Sequence, residues 1–319
     1  MRRRLVAPLL VLALLSACSG DPVEPRQPER TRSAPVTTSP TIEASPTPTE
    51  TETPEPPARF DADRALRSVR HLAGDIGPRL ATGPAFREAA TWVADGFRAQ
   101  GYAVRRQSLA VPAGDSWGVS VRAGRSSNVV ATPGDFDPGS PYVVVGAHLD
   151  TVAVAPGAED NASGVAVLLE LARVLRASGQ VVLVAFGAEE PVGPGELHHF
   201  GSKAYVATLT PEAARNLRGM VSLDRVGVGS VVPLSSVEGT PSALRDRLAR
   251  LAEREGIPTV VETDAASDHE SFADAGFVAA RIGSTPYAGY HSAADVPSVV
   301  NPGQLQRVGD LLSAWLRAS

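Results

Sequence analysis

The sequence predicts an α/β fold: one domain with a mostly parallel central sheet flanked by helices. Three observations predict it. Runs such as Pro141-Tyr-Val-Val-Val-Gly146 and Val181–Phe186 are short, continuous and Val-rich, as expected of strands buried on both faces. Between such runs lie segments whose apolar residues recur at helical spacing. The chain has 319 residues, 43% hydrophobic and 20% charged, a size for one large domain of about 250 residues or two small ones. Strands alternating with crossover helices pair in parallel.

The first segment reads as an address. Arg2, Arg3 and Arg4 precede an apolar run from Leu5 to Leu15, then small residues and Cys18. A cationic start, a short apolar stretch and a small-residue cleavage site make an export signal, and the run is short for a stable membrane span. Leu15-Ser16-Ala17-Cys18 resembles the bacterial lipobox, which implies cleavage after residue 17 and lipid modification of Cys18. The expected location is therefore extracytoplasmic, anchored to the membrane by lipid. Residues 18–58 carry ten prolines among Thr, Ser and Glu and almost no large apolar side chains. Such a segment buries too little surface to offset its ordering entropy and is expected to be an extended tether. The folded domain is expected over residues 59–319.

Within it, Ala62, Ala65, Leu66, Val69 and Leu72 mark a first helix with Asp61 as its N-cap. Phe86, Ala89, Ala90, Val93 and Phe97 mark a second, ended by Gly101. Strands are expected at Val104–Val111, Val119–Val121, Asn128–Ala131 and 141–146. A helix through Val165, Leu168, Leu169, Ala172 and Leu175 precedes the strand 181–186. Strands at Gly219–Leu223 and Ala279–Ile282, with helices at Ser242–Glu255 and Pro302–Arg317, complete the set.

Composition narrows the chemistry. Thirty basic against thirty-five acidic residues give a net charge of −5, which argues against an electrostatically driven nucleic-acid binder. Arginine supplies all the basic residues but Lys203, a bias expected of a GC-rich genome rather than of a binding task. With Cys18 as the only cysteine, intrachain disulfides and thiol-built metal or catalytic sites are excluded.

In open α/β sheets, sites gather at the carboxyl ends of strands. There stand His148 and Asp150, then Asp160 at a helix start, Glu189 and Glu190, Asp224, and finally His291. Imidazoles and carboxylates delivered from successive strand ends suit a nitrogen/oxygen site for zinc. Each also has a plain structural reading: Asp160 as a helix cap, Glu189-Glu190 as an exposed turn, Asp224 as a solvated strand end, His148 as a core histidine.

In order, Gly-Ala-His148-Leu-Asp150, Glu159-Asp160-Asn-Ala-Ser-Gly164, Ala188-Glu189-Glu190, Gly201-Ser-Lys-Ala-Tyr205, Ser222-Leu-Asp224, Ser267-Asp-His-Glu-Ser-Phe272 and Tyr290-His291-Ser-Ala-Ala-Asp295 form a set. That set resembles the bacterial dizinc aminopeptidase family, zinc exopeptidases related to glutaminyl cyclases. The resemblance runs from about His71 to the carboxyl terminus. It implies two zinc ions bridged by Asp160, one completed by His148 and Asp224 and the other by Glu190 and His291. It makes Glu189 the general base and Asp150 the carboxylate that holds the His148 imidazole. It implies peptide substrates with a free amino terminus. Within the same superfamily a glutaminyl cyclase is the alternative. A solute-binding lipoprotein would share the anchor and predict two hinged lobes.

Two departures stand out. Pro191–Phe200, with His198 and His199, intervenes where relatives have a short stretch. Some relatives also place an oxyanion-stabilising Tyr just before Ser267-Asp-His, where this chain has Asp264-Ala-Ala; Tyr290 and Tyr287 are the candidate substitutes, and the oxyanion partner stays open. His269 is expected to support the site, and His71 to pack at the surface.

Overall fold

The computed structural model describes residues 58–317. The signal segment, Cys18 and the tether up to residue 57 lie outside the described residues. The chain enters through α1 (Ala62–Val69) and a wider helical turn, Arg70–Ile76, followed by α2 (Pro84–Ala99). Asp61 caps α1, its carboxylate accepting the N–H groups of Asp63 and Arg64 at 3.0 and 3.1 Å. That satisfies two of the four donors a helix start leaves unpaired.

Next come β1 (Ala103–Val111), the hairpin β2 (Gly114–Ser116) and β3 (Val119–Val121), β4 (Gly124–Thr132) and β5 (Tyr142–His148). Then follow α3 (Ser163–Leu175), β6 (Val181–Phe186), α4 (Phe200–Ala207), α5 (Pro211–Asn216) and β7 (Leu217–Leu223). The chain closes with β8 (Val232–Ser236), α6 (Ala243–Arg254), β9 (Thr259–Thr263), α7 (His269–Asp274), β10 (Ala279–Ile282) and α8 (Pro302–Arg317).

Eight strands form one sheet in the order β1-β4-β6-β5-β7-β10-β8-β9. Its centre, β6-β5-β7-β10, is parallel throughout, and β9 joins β8 in parallel. Antiparallel pairs attach β1 to β4, β4 to β6 and β8 to β10, so the expected mostly parallel sheet has mixed flanks. Val119–Val121, expected as a strand, pairs with β2 in a separate hairpin and does not join the sheet. The described residues thus lack the two lobes of a solute binder, and none of their helices is long and apolar enough to cross a membrane.

Side-chain alternation explains the continuous apolar runs. In β5, Val143, Val145 and Ala147 pack into the core beneath α1, α2, α3, α6 and α8, while Tyr142 and Val144 enter the core on the other face. In β6, Leu183 and Ala185 take the first face, and Val182, Val184 and Phe186 the second. A strand with both faces covered has no polar positions to offer.

The strand order fixes the site. From β5 the chain passes through α3 to β6 on one side, then through α4 and α5 to β7 on the other side of β5. The carboxyl end of β5 is therefore the point where the order reverses, and a crevice opens there.

Candidate metal centre

His148 is the last residue of β5 and sits in that crevice. Asp160 comes from the irregular turn Ala158–Ala162 before α3, Glu189 and Glu190 follow β6, Asp224 follows β7, and His291 lies in the loop after β10. All are buried except His291, which is partly open, although its side chain is only 7% exposed.

Asp160 stands between the two imidazoles. Its Oδ1 is 3.1 Å from His148 Nε2 and its Oδ2 is 3.1 Å from His291 Nε2. Asp224 Oδ1 lies 3.7 Å from His148 Nε2, and Glu190 Oε2 lies 3.4 Å from His291 Nε2. Two ligand atoms on one zinc ion, each at about 2.0–2.1 Å, sit about 3.3 Å apart in a tetrahedral arrangement. The spacings here bracket that value on both sides of Asp160. Glu190 Oε1 is buried with no hydrogen-bond partner, an expensive state for a carboxylate unless a cation satisfies it. The donor set fits divalent metal.

The electrostatics show the same demand for positive charge. Burial pushes the His148 imidazole down, but Glu189, Asp160 and Asp224 outweigh it and hold its pKa well above the ordinary value. His291 is likewise driven up, to about 9: burial opposes the shift, and the hydrogen bonds to Asp160 and Glu190 carry it. Glu190 is raised by burial and by the charge of Asp160. Asp224 is held well down because Arg281, with His148, overcomes the burial penalty.

Asp150 behaves differently from the expectation. The atom 3.1 Å from His148 Nδ1 is the main-chain carbonyl oxygen of Asp150; its carboxylate is 3.9 Å away. That carboxylate instead accepts the N–H groups of Glu189 and Glu190, one on each oxygen, both at 3.1 Å. The reason is local: the chain leaves β6 beside the end of β5, and two unpaired N–H groups there require an acceptor. Asp150 therefore positions the glutamate pair, and its backbone sets the tautomer of His148.

Glu189 and Glu190 face different partners. Glu190 turns to His291, while Glu189 places Oε2 4.0 Å from His148 Nε2 and Oε1 3.2 Å from His199 Nε2. The turn carrying Asp160 is braced by Asp295, whose carboxylate accepts the N–H groups of Glu159 and Asp160 at 2.8 and 3.1 Å.

Two buried arginines that sequence reasoning missed hold the surroundings. Arg79, fully buried, donates to the carbonyls of Leu149, Leu72, Gly77, Pro156 and Gly157 at 2.7–3.0 Å, tying the chain before α2 to the loop that leads to Asp160. Arg281, inside β10, places Nη2 3.0 Å from Asp224 Oδ2 and also pairs with Asp264. An arginine within the apolar run Ala279–Ile282 was the available signal for the second.

The cleft above the centre holds about 450 Å³. Trp117, from the β2–β3 hairpin, meets His291 edge-on at 4.1 Å, Tyr290 stacks on the same ring at 3.7 Å, and the Arg225 guanidinium lies over the Tyr290 ring, 4.4 Å from its centroid. The segment 191–200 is tied back by hydrogen bonds from His199 N–H to the Glu189 carbonyl and from Asp115 N–H to the Val192 carbonyl. It forms the rim with Pro191, His198 and His199. His269 donates from Nε2 to the Asp264 carbonyl, 2.7 Å away, and His71 pairs with Asp75 against Trp92, outside the centre.

A buried cluster of carboxylates and imidazoles stands at the switch point of an α/β sheet, a donor set of the kind that holds divalent metal. The sequence profile of Peptidase family M28 matches residues 128–316, more than half of the chain, and the chain belongs to that family. It is 32% identical over 186 residues to the aminopeptidase YwaD of Bacillus subtilis, covering 54% of this chain and 40% of YwaD. It is 30% identical over 192 residues to the uncharacterised protein YfbL of Escherichia coli, covering 56% of this chain and 54% of YfbL. The chain thus spans about half the length of these curated relatives. Among solved structures, the fold is similar to BSAP, a zinc aminopeptidase from Bacillus subtilis (TM-score 0.71, 20% identity, 81% of this chain and 95% of that one). It is similar to the same degree to the glutaminyl cyclase of Porphyromonas gingivalis (TM-score 0.70, 23% identity, 81% and 98%).

Proposed function

We propose that this protein is an aminopeptidase that hydrolyses amino-terminal residues from peptides at a dinuclear zinc centre. The observation that carries the reading is Asp160, whose two oxygens each face a different imidazole at 3.1 Å. One ion would be held by His148, Asp160 and Asp224, the other by Asp160, Glu190 and His291. Zinc bound there supplies Lewis-acid polarisation of the peptide carbonyl and a charge that lowers the pKa of the attacking water.

The chain's own residues do the rest. Glu189 takes the water's proton on Oε2, the oxygen turned toward His148, and returns it to the leaving amine. His199 occupies the other oxygen and fixes which face of the carboxylate is presented. Asp150 keeps Glu189 and Glu190 in register through their N–H groups, and Asp295 does the same for Asp160. Tyr290 and Arg225 bring a hydroxyl and a guanidinium to the cleft where relatives use a tyrosine from another position.

The deciding experiment incubates the zinc-loaded protein with a peptide mixture and identifies products by mass. Peptides shortened by one amino-terminal residue support the reading, and acetylating the amino terminus should abolish their formation. Pyroglutamyl products without shortening would make the protein a glutaminyl cyclase, a reading favoured only by the fold similarity.

The lipobox-like residues ending at Cys18 support an activity outside the cytoplasm, on a lipid anchor. Cys18→Ser should yield an unlipidated protein that leaves the membrane fraction; a variant that stays with membranes would replace lipidation with a signal anchor.

A further inference from the structure

His198, His199 and Glu270 stand together at the rim of the cleft, beside the centre but outside its ligand set. The two histidines end the segment that intervenes before α4, and Glu270 comes from the first turn of α7. Glu270 Oε2 lies 3.0 Å from His199 Nδ1 and 4.0 Å from His198 Nδ1, and one donor atom from each residue lies within 4.8 Å of the others. His199 is only 4% exposed, and its Nδ1 has no hydrogen-bond partner: the carboxylate oxygen is close but poorly aligned for donation. Its backbone holds φ 53° and ψ 31°, the left-handed region that a residue with a Cβ adopts infrequently. That conformation lets consecutive imidazoles reach one carboxylate.

We propose that His198, His199 and Glu270 form a third zinc site, weaker than the central pair, through which excess zinc inhibits the enzyme. Two imidazoles and one carboxylate are a zinc set that leaves an open position, here toward the cleft. The 3.0 and 4.0 Å separations straddle the roughly 3.3 Å expected of atoms sharing one ion.

The link to catalysis runs through one ring. With Nδ1 on an ion, His199 keeps its proton on Nε2 and donates it to Glu189 Oε1, 3.2 Å away. A histidine shared in this way between cation and carboxylate polarises its N–H. Glu189 is then held by a donor on the ion-bearing ring, and the ion also narrows the cleft. This coupling rests on Glu189 acting as the base. Two of the three donors, His198 and Glu270, are partly open to solvent, with side chains 22% and 25% exposed, which makes this the weaker step.

The test titrates the full chain with zinc alone, counting bound ions by dialysis and elemental analysis while following turnover. The wild type should bind its tight ions first. One further equivalent should bind at higher zinc, with turnover falling over the same range. His198→Ala and Glu270→Gln should keep the tight equivalents. Both the weak step and the inhibition should move to at least about 10-fold higher zinc, the lower end of what removing a mere supporting contact costs a metal site. No further equivalent in the wild type, or unchanged midpoints in both variants, would overturn the site. A further ion that binds without loss of turnover would overturn the coupling through His199. The number of tight equivalents tests the dinuclear reading separately, because the rim step is read only as the difference between wild type and rim variants.

Discussion

Asp150→Asn separates two mechanisms that put the same residue beside the centre. In the structure its two carboxylate oxygens accept one N–H each from Glu189 and Glu190. Asparagine keeps one acceptor oxygen and turns an NH₂ group toward the other N–H, so one bond is lost and a buried donor is stranded. A hydrogen bond to a charged acceptor contributes about 1.5–3 kcal/mol, and neutralising a fully buried carboxylate returns part of its desolvation cost. The net loss of folding stability is then about 2 kcal/mol. Urea unfolding of the chelated protein should show it as a lower midpoint with an unchanged slope. The functional lesion should fall on the glutamate side: turnover drops, and the ion shared with Glu190 is retained about 10–100-fold less tightly. A variant with wild-type stability that loses metal only from the His148 side would refute the reasoning and return Asp150 to the role of imidazole orienter.

Four further outcomes follow from the same geometry. Glu189→Gln should keep its metal while turnover falls about 10²–10⁴-fold, the range for losing a general base, and near-normal turnover of the loaded variant would make Glu189 a bystander. Glu190→Gln and His291→Ala should each retain one ion fewer by elemental analysis, whereas Asp160→Ala should disturb both; full metal content in all three would sink the ligand assignment. Arg79→Lys keeps the charge but offers three donors in place of five bonds to carbonyls, so at least two are lost at about 1 kcal/mol each, and urea unfolding should register a loss of about 2 kcal/mol. In the chelated protein, His291 has a folded pKa of about 9 against an ordinary 6.5, so its contribution is complete below 6.5 and lost as pH rises through 9. Glu190, also raised, carries the same sign, and the melting temperature of the chelated protein should fall from pH 6.5 to 9; a flat profile would contradict these shifts.

The parallel centre of the sheet was legible because burial on both faces leaves a continuous apolar run, as in β5 and β6. The strands β8 and β9 were not. Val-Pro-Leu-Ser-Ser carries a proline and two serines, and Thr259–Thr263 is a short, largely exposed edge. The candidate ligands stood out as polar residues ending apolar strands, and their order matched a known family. Their supports were hidden for a physical reason. Arg79 bonds only to main-chain carbonyls, which leave no mark on side-chain patterns, and it is one arginine among many in this chain. Asp150 stood among those polar strand ends, but whether a residue acts through its side chain or its carbonyl is decided by the path of β6, not by residue type.

The five proposed ligands span the chain from His148 to His291 and come from the ends of β5, β6 and β7, the turn before α3 and the loop after β10. No fragment lacking any one of these segments brings them together. The pair of ions, which between them use all five ligands, is therefore bound only by the finished sheet. Occupancy becomes a report on topology: at a free zinc level 100 times the dissociation constant, each such ion would favour the completed fold by about 2.7 kcal/mol. For a chain whose strand order reverses at the metal-bearing strand, zinc uptake would be the step that distinguishes the correct thread from its near misses.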